Sequence, residues 1–162
     1  MGDQESGLLG PNRKETVIFR SDLKEVDRLD IATDLVEYSR GNTIKQAVFK
    51  YTLIQTRVEN VWRELHILKA LRGNKRYVPF DRIVLDEVTH NILGLTTGYI
   101  AGGTLEHYRG TFYFRWLKQL TDAVDELNFR YGLMHQDLAP RNILIDPASQ
   151  ELLDLISTDQ HG

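Results

Sequence analysis

His135-Gln136-Asp137-Leu138-Ala139-Pro140-Arg141-Asn142, running into the apolar Ile143-Leu144-Ile145 and then Asp146, is the most informative stretch of the chain. Upstream of it, Phe114, Leu117, Leu120, Val124 and Leu127 recur at helical spacing, which predicts an amphipathic helix from about Tyr113 to Tyr131 that Gly132 ends. The octapeptide therefore forms a loop between a helix and a short strand, carrying H-x-D-x-x-x-x-N spacing. A carboxylate at Asp137 orients an incoming hydroxyl, and the Asn142 amide oxygen, fixed at the mouth of a strand, is suited to a magnesium ion. An ordinary turn-capping aspartate is the alternative for Asp137. His135 is expected to brace the loop through a backbone hydrogen bond rather than to carry protons.

The preceding sequence reads as short strands and one helix. Residues 1–16 lack periodicity and are expected to form a flexible leader; order begins at Val17-Ile18-Phe19. Asp34–Tyr38 and Thr43–Tyr51 flank the turn Arg40-Gly41-Asn42 and predict an antiparallel hairpin. A helix is predicted from about Arg57 to Leu71 on the spacing of Val58, Val61, Trp62, Leu65, Leu68 and Leu71, with Gly73-Asn74 ending it. Arg82–Val88 and Ile92–Ile100 predict a second hairpin, and Ala101-Gly102-Gly103 is the candidate hinge after it. Beyond the loop, Ile143–Ile145 and Glu151–Leu153 predict a small hairpin around Asp146–Gln150. The organisation expected is a leader over 1–16, a strand-rich lobe over 17–100 and a second, partial lobe over 101–162 that contains the loop.

Composition narrows the partners. A net charge of -3 with pI near 5.9 gives no global attraction to nucleic acid or anionic membranes, so any anionic ligand is held locally. Zero cysteines exclude disulfides and thiolate metal sites. No apolar run reaches the roughly 20 residues that span a bilayer, and the polar N-terminus is no signal peptide, so an intracellular, cytoplasmic or nuclear protein is expected. Met1-Gly2-Asp3-Gln4-Glu5-Ser6 formally fits an acylation motif, but it is acidic and lacks the basic patch that a single acyl chain needs.

Further polar residues sit where apolar patterning makes them informative. Lys50 closes Ala47-Val48-Phe49 and either reaches phosphate oxygens or snorkels from a strand edge. Glu64 lies on the helix between Val61 and Leu68, bordering the apolar stripe, and a carboxylate there calls for a cation such as Lys50. Exposure on the surface face is the alternative. Arg141, four residues after Asp137, either meets a transferring phosphoryl group or serves the loop structurally.

Taken together, Ala47–Lys50, Glu64 within a helix, Leu95-Thr96-Thr97-Gly98-Tyr99-Ile100-Ala101-Gly102-Gly103-Thr104-Leu105 and His135–Asn142 resemble the eukaryotic protein-kinase superfamily. Val78–Glu87 and the octapeptide resemble, more narrowly, kinase-like proteins of filamentous fungi. The resemblance covers about residues 20–153 and implies an α+β, protein-kinase-like two-lobe fold: an antiparallel-sheet N-lobe with one helix, plus a truncated helical C-lobe. It implies ATP and Mg2+ as cofactors and phosphorylation of protein Ser/Thr hydroxyls. Lys50 would bind the α/β-phosphates with Glu64 as its helix partner, and Asp137 would be the catalytic base. Asn142 would be a magnesium ligand, Thr97 the gatekeeper, and the backbone of Gly98 and Ile100 would meet adenine.

Three departures accompany the likeness. Val26–Thr33 contains no glycine where a phosphate-covering Gly-rich loop stands in kinases, Gln136 replaces the usual arginine, and Glu151-Leu152-Leu153-Asp154-Leu155-Ile156-Ser157 stands where D-F-G belongs. Asp154 is there either a second metal-facing carboxylate or a chance aspartate. A pseudokinase or partner-binding module, and a small-molecule phosphotransferase of the aminoglycoside or choline type, are the rival expectations. The hinge segment and the Glu64 helix favour the protein-kinase branch. The substrate or partner is not specified by the sequence.

Overall fold

The computed structural model describes residues 16–51, 58–135 and 137–154, excluding the side chains of 58–61. The leader, the acylation motif, Gln136 and Leu155–Ser157 lie outside the described residues. The chain divides into two compact units, Met1–Val58 with Phe80–Tyr99 and Glu59–Pro79 with Ile100–Gly162. The described residues form eight strands and two α-helices, an α+β protein.

The first unit is a six-stranded sheet of β1 (Val17–Phe19), β2 (Lys24–Asp30), β3 (Thr33–Arg40), β4 (Thr43–Tyr51), β5 (Phe80–Leu85) and β6 (Ile92–Gly98), ordered β1-β5-β6-β4-β3-β2. Only the β1–β5 pair is parallel. The β3–β4 hairpin closes at the Arg40↔Thr43 pair, and Gly41 supplies the positive φ of 60° its turn requires. On one face Val36, Tyr38, Ala47, Phe49 and Val84 pack with Ile18 and Leu23 of the N-terminal segment. Asp81, at the bulge of β5, joins the strands. It accepts the Tyr38 hydroxyl at 2.7 Å, the Lys45 ammonium at 2.5 Å and the Thr96 hydroxyl at 3.0 Å.

Element boundaries differ from expectation in several places. β5 stops at Leu85 rather than Val88, because the Asp86 carboxylate takes the N–H groups of Val88 at 3.0 Å and Thr89 at 2.7 Å and turns the chain. β2 is exposed along its whole length, so its residues alternate without a buried set to betray a strand. Its closely spaced charges suit a sheet edge.

In the second unit, α1 (Val58–Ala70) leads through Gly73, at φ 83°, towards Tyr77. α2 (Phe114–Tyr131) ends at Gly132 in the left-handed region, whose N–H bonds Asn128 at 3.1 Å. Leu71, Tyr77, Ala123 and Leu127 make one core, supported by Ile67, Tyr131 and Leu133. Trp116, Ile143, Ile145 and Leu152 make another with Leu105, Tyr108 and Leu120.

The inward face of α2 is thus centred on Trp116, Leu120, Ala123 and Leu127; of the expected stripe, Leu120 and Leu127 lie on it and Phe114 and Leu117 do not. Phe114 is 83% and Leu117 51% exposed. The Trp116 indole N–H donates to the Gln150 carbonyl at 2.8 Å and its ring meets Tyr108 and Tyr113 edge-on, and these partners hold the bulkier ring inside.

Strands β7 (Ile143–Ile145) and β8 (Leu152–Asp154) pair antiparallel, one residue beyond the Glu151–Leu153 expected for the latter. Asp146 sets the turn by accepting the N–H groups of Ala148 and Ser149. Both outer edges of this hairpin are also used. Leu105 N–H bonds Ile143 at 2.7 Å and Ile145 N–H bonds Gly103 at 3.0 Å, while Val78 and Arg76 exchange bonds of 3.0 and 2.8 Å with Asp154. Gly102 permits the first contact, since a Cβ there would lie 1.8 Å from the Ile145 carbonyl oxygen.

Candidate functional site

Within the second unit, the loop between α2 and β7 is held by its own turn and by a hydrogen bond from the segment before α2. Pro140–Asn142 forms a 3-10 turn, with Asn142 N–H bonded to Ala139 at 2.8 Å, and Glu106 N–H bonds the Pro140 carbonyl at 3.2 Å. Proline at the start of that turn presets its φ and needs no N–H partner. The turn brings Asn142 back onto Asp137. The amide NH2 of Asn142 donates to the Asp137 carbonyl and to its Oδ2, each at 2.8 Å, and Arg141 donates to Oδ1 at 2.5 Å.

Asp137, Arg141 and Asn142 are therefore brought together. Both carboxylate oxygens of Asp137 are oriented by donors, and the side chain remains about a quarter exposed, at 24%. With its NH2 turned to Asp137, Asn142 presents its amide oxygen elsewhere, an orientation that the hydrogen-bond pattern assigns.

Behind the loop, His135 is deeply buried. Its Nε2 lies 3.0 Å from both oxygens of Asp154, and its Nδ1 receives the Asp137 N–H at 3.3 Å. The expected backbone brace is present, and it has a second half that the sequence did not announce. The local motif places Asp137 and Asn142, but the His135–Asp154 approach depends on β8 folding back beside the loop. Among the described residues no group of three or more His, Asp or Glu side chains is disposed to hold a metal ion.

In the first unit, Lys50 pairs in register with Leu95 and with Thr33, and Val48 pairs with Thr97. Directly opposed residues share a face and strand residues alternate, so Lys50, Leu95, Val48 and Thr97 lie on one face, opposite to Phe49 and Ala47. Lys50 is half-buried, and Thr97 is 7% exposed. Gly98 ends β6 in register with Ala47. Ile100 begins the second segment of the second unit, where its carbonyl accepts Gly103 N–H at 3.3 Å. Glu64 is buried on α1, at 6% exposure, in the second unit.

The hairpin tip beside Lys50 is glycine-free. Ile31 is 81% exposed, its N–H is taken by the Asp30 carboxylate at 2.7 Å, and Tyr51 N–H bonds the Ala32 carbonyl at 2.9 Å. Asp34, on β3, went unnoticed in the sequence although it stands beside the apolar Leu35-Val36. It is fully buried, accepts the Tyr51 hydroxyl and faces Arg28 Nε at 3.0 Å. Burial first, and then the Asp34 carboxylate, raise the Tyr51 pKa.

No family model matches the chain. It is similar to serine/threonine-protein kinase PKH3 of Saccharomyces cerevisiae, at 31% identity over 114 residues, which is 67% of this chain and 12% of the yeast protein. The chain thus spans a small part of the relative it matches, and the likeness is a distant, kinase-like one.

Proposed function

We propose that the chain carries a protein-kinase-like site for transfer of a phosphoryl group from ATP to a hydroxyl, with protein Ser/Thr side chains as the acceptors. The observation that carries this reading is the orientation of both Asp137 oxygens, Oδ1 by Arg141 and Oδ2 by Asn142, within an H-x-D-x-x-x-x-N loop. The named activity of the distant yeast relative supports the choice of acceptor. An intracellular setting, cytoplasmic or nuclear, goes with a cysteine-free chain that uses ATP.

In this reading Asp137 accepts a hydrogen bond from the acceptor hydroxyl and takes its proton as the new oxygen–phosphorus bond forms and the bond from the γ-phosphorus to the bridging oxygen breaks, releasing ADP. Arg141 holds the carboxylate in place and is near enough to meet phosphoryl charge. Mg2+, when bound, would neutralise charge on the phosphate oxygens. The residues fit it through the Asn142 amide oxygen, because an ion that retains water and substrate phosphates needs few protein ligands. On the first unit, Lys50 would hold phosphate oxygens, Thr97 would border the base, and the Gly98 backbone would bond it. On the second, Glu64 and the Ile100 backbone keep the roles the resemblance implies.

The tip Asp30-Ile31-Ala32-Thr33 favours a second reading, a non-catalytic binding module. It presents a carboxylate and a large side chain where phosphate would be covered, and the Ile31 N–H is already taken. Calorimetry of Mg-ATP binding, followed by transfer assays on generic protein substrates with an Asp137→Asn control, separates the two. Binding with transfer that depends on Asp137 supports the enzyme; binding without transfer supports the module; the absence of both sinks the nucleotide reading.

A further inference from the structure

We propose that Asp154 is the positioning residue of the loop: its carboxylate takes the Nε2–H of His135 and so fixes the imidazole tautomer whose bare Nδ1 receives the Asp137 N–H. The assignment deepens the phosphotransfer reading and gives Asp154 a task other than holding the second metal. Three features carry it.

First, the bonding fixes the proton. A backbone N–H can only donate, so the Nδ1 it approaches at 3.3 Å must offer a lone pair, and the ring proton is then on Nε2. Nε2 faces Asp154 at 3.0 Å to either oxygen, which suits a donor meeting a carboxylate. Second, both side chains are dry. His135 is 2% and Asp154 3% exposed, so water does not compete for either group, and leaving one unpaired would be costly.

Third, the backbone of Asp154 is hydrogen-bonded on both of its edges. Its N–H and carbonyl bond Arg76 and Val78 on one side, and it stands in register with Ile143 on the other. A residue held on both edges is a rigid support, and the imidazole carries that rigidity to Asp137, as an outer residue does for a histidine that must point one way.

The test uses the full chain uniformly labelled with 15N. Long-range proton–nitrogen spectra are expected to show Nε2 protonated and Nδ1 bare at His135. Asp154→Asn retains an acceptor oxygen and is expected to preserve that signature. Asp154→Leu is expected to lose it and to make the Asp137 amide exchange with solvent about tenfold faster, the effect of losing one buried charge-assisted hydrogen bond. Exchange at Phe49, in the first-unit sheet, should be unchanged.

A wild-type His135 protonated on Nδ1 overturns the proposal, and this result is readable even if Asp154→Leu does not fold. A folded Asp154→Leu chain with unaltered Asp137 exchange also overturns it. So does an Asp154→Asn chain that loses magnesium affinity while keeping the wild-type tautomer, because the carboxylate would then serve the metal. Failure of the wild-type chain to bind Mg-ATP would sink the phosphotransfer reading and leave the tautomer result standing.

Discussion

Asp137 gains its orientation from donors on both oxygens, so the most economical probe is a substitution that keeps its shape and removes its charge. In Asp137→Asn one end of the carboxamide becomes a donor, facing either the Arg141 guanidinium or the Asn142 NH2, where two donors then oppose each other. Turnover should fall by roughly 10²- to 10⁴-fold, the range for a positioned general base, with ATP affinity almost unchanged. Undiminished turnover would return Asp137 to turn capping. Tyr77 offers a residue-scale test of the core. Its hydroxyl donates to the Ala123 carbonyl at 2.7 Å, and burial, followed by the charges of Glu126 and Asp154, pushes its pKa up to about 12 from 10.0. The folded chain therefore keeps the proton that the unfolded chain loses first. Stability from this group is fully present below pH 10 and is lost as pH rises through about 12. Denaturant melts across that window should decline more steeply for wild type than for Tyr77→Phe; parallel declines would count against the shift. The relation of Asp137 to Asn142 is legible in the sequence because the two stand five positions apart in one loop. Asp154 stands out in the sequence too, but its pairing with His135 does not, since the two are nineteen positions apart and only the return of β8 brings them together.

At the scale of elements, periodicity was informative where one face is buried and silent where none is. Thr43–Tyr51 was read to the residue, since Ala47 and Phe49 alternate with less buried neighbours and a Gly turn precedes them. Lys24–Asp30 left no such trace. The face of α2 agrees with the helical period at Leu120 and Leu127 and departs from it at the N-terminal end, because the apolar Phe114 and Leu117 fit the period as well as Trp116 and Ala123 do. Edge contacts with Tyr108 and Tyr113 and the indole bond to Gln150 decide between them, and none of these is local to the helix interior. Likewise Ala101-Gly102-Gly103 reads in sequence as a break in pattern, whereas Gly102 is needed for the approach of β7. Gly102→Ala sets a Cβ against the Ile145 carbonyl and should destabilise the second unit by about 1–3 kcal/mol, the usual cost of overpacking. Thermal unfolding followed by Trp116 fluorescence measures it. An unchanged midpoint would mean that the 103–105 pairing yields without cost. Gly41→Ala, where a Cβ meets nothing within 4 Å but φ is +60°, separates backbone strain from this clash.

For the molecule as a whole, a net charge of -3 means that a polyanion such as ATP is repelled at long range and must be held locally. In the proposed reading Lys50 does this, from the face it shares with Thr97. Lys50→Ala should weaken Mg-ATP binding by roughly 10- to 100-fold, the loss expected for charge-assisted hydrogen bonds. Equal calorimetric heats for the two chains would remove Lys50 from the phosphates. In that reading the same sheet also opposes the phosphates. Thr33 pairs with Lys50 on one side and with Asp30 on the other, so the Asp30 backbone stands two strand spacings, about 10 Å, from that of Lys50. A negative charge at that range in water opposes a phosphate by a few tenths of a kcal/mol, less with salt. Asp30→Asn retains a side-chain oxygen to accept the Ile31 N–H and so preserves the turn while removing the charge. Mg-ATP binding should tighten by roughly twofold at low salt, with the gain shrinking as ionic strength rises, and the same substitution in Lys50→Ala should give no gain if the phosphates are no longer held there. A gain that persists at high salt would point to altered hairpin conformation instead of charge, and no gain at any salt would place the phosphates away from this tip.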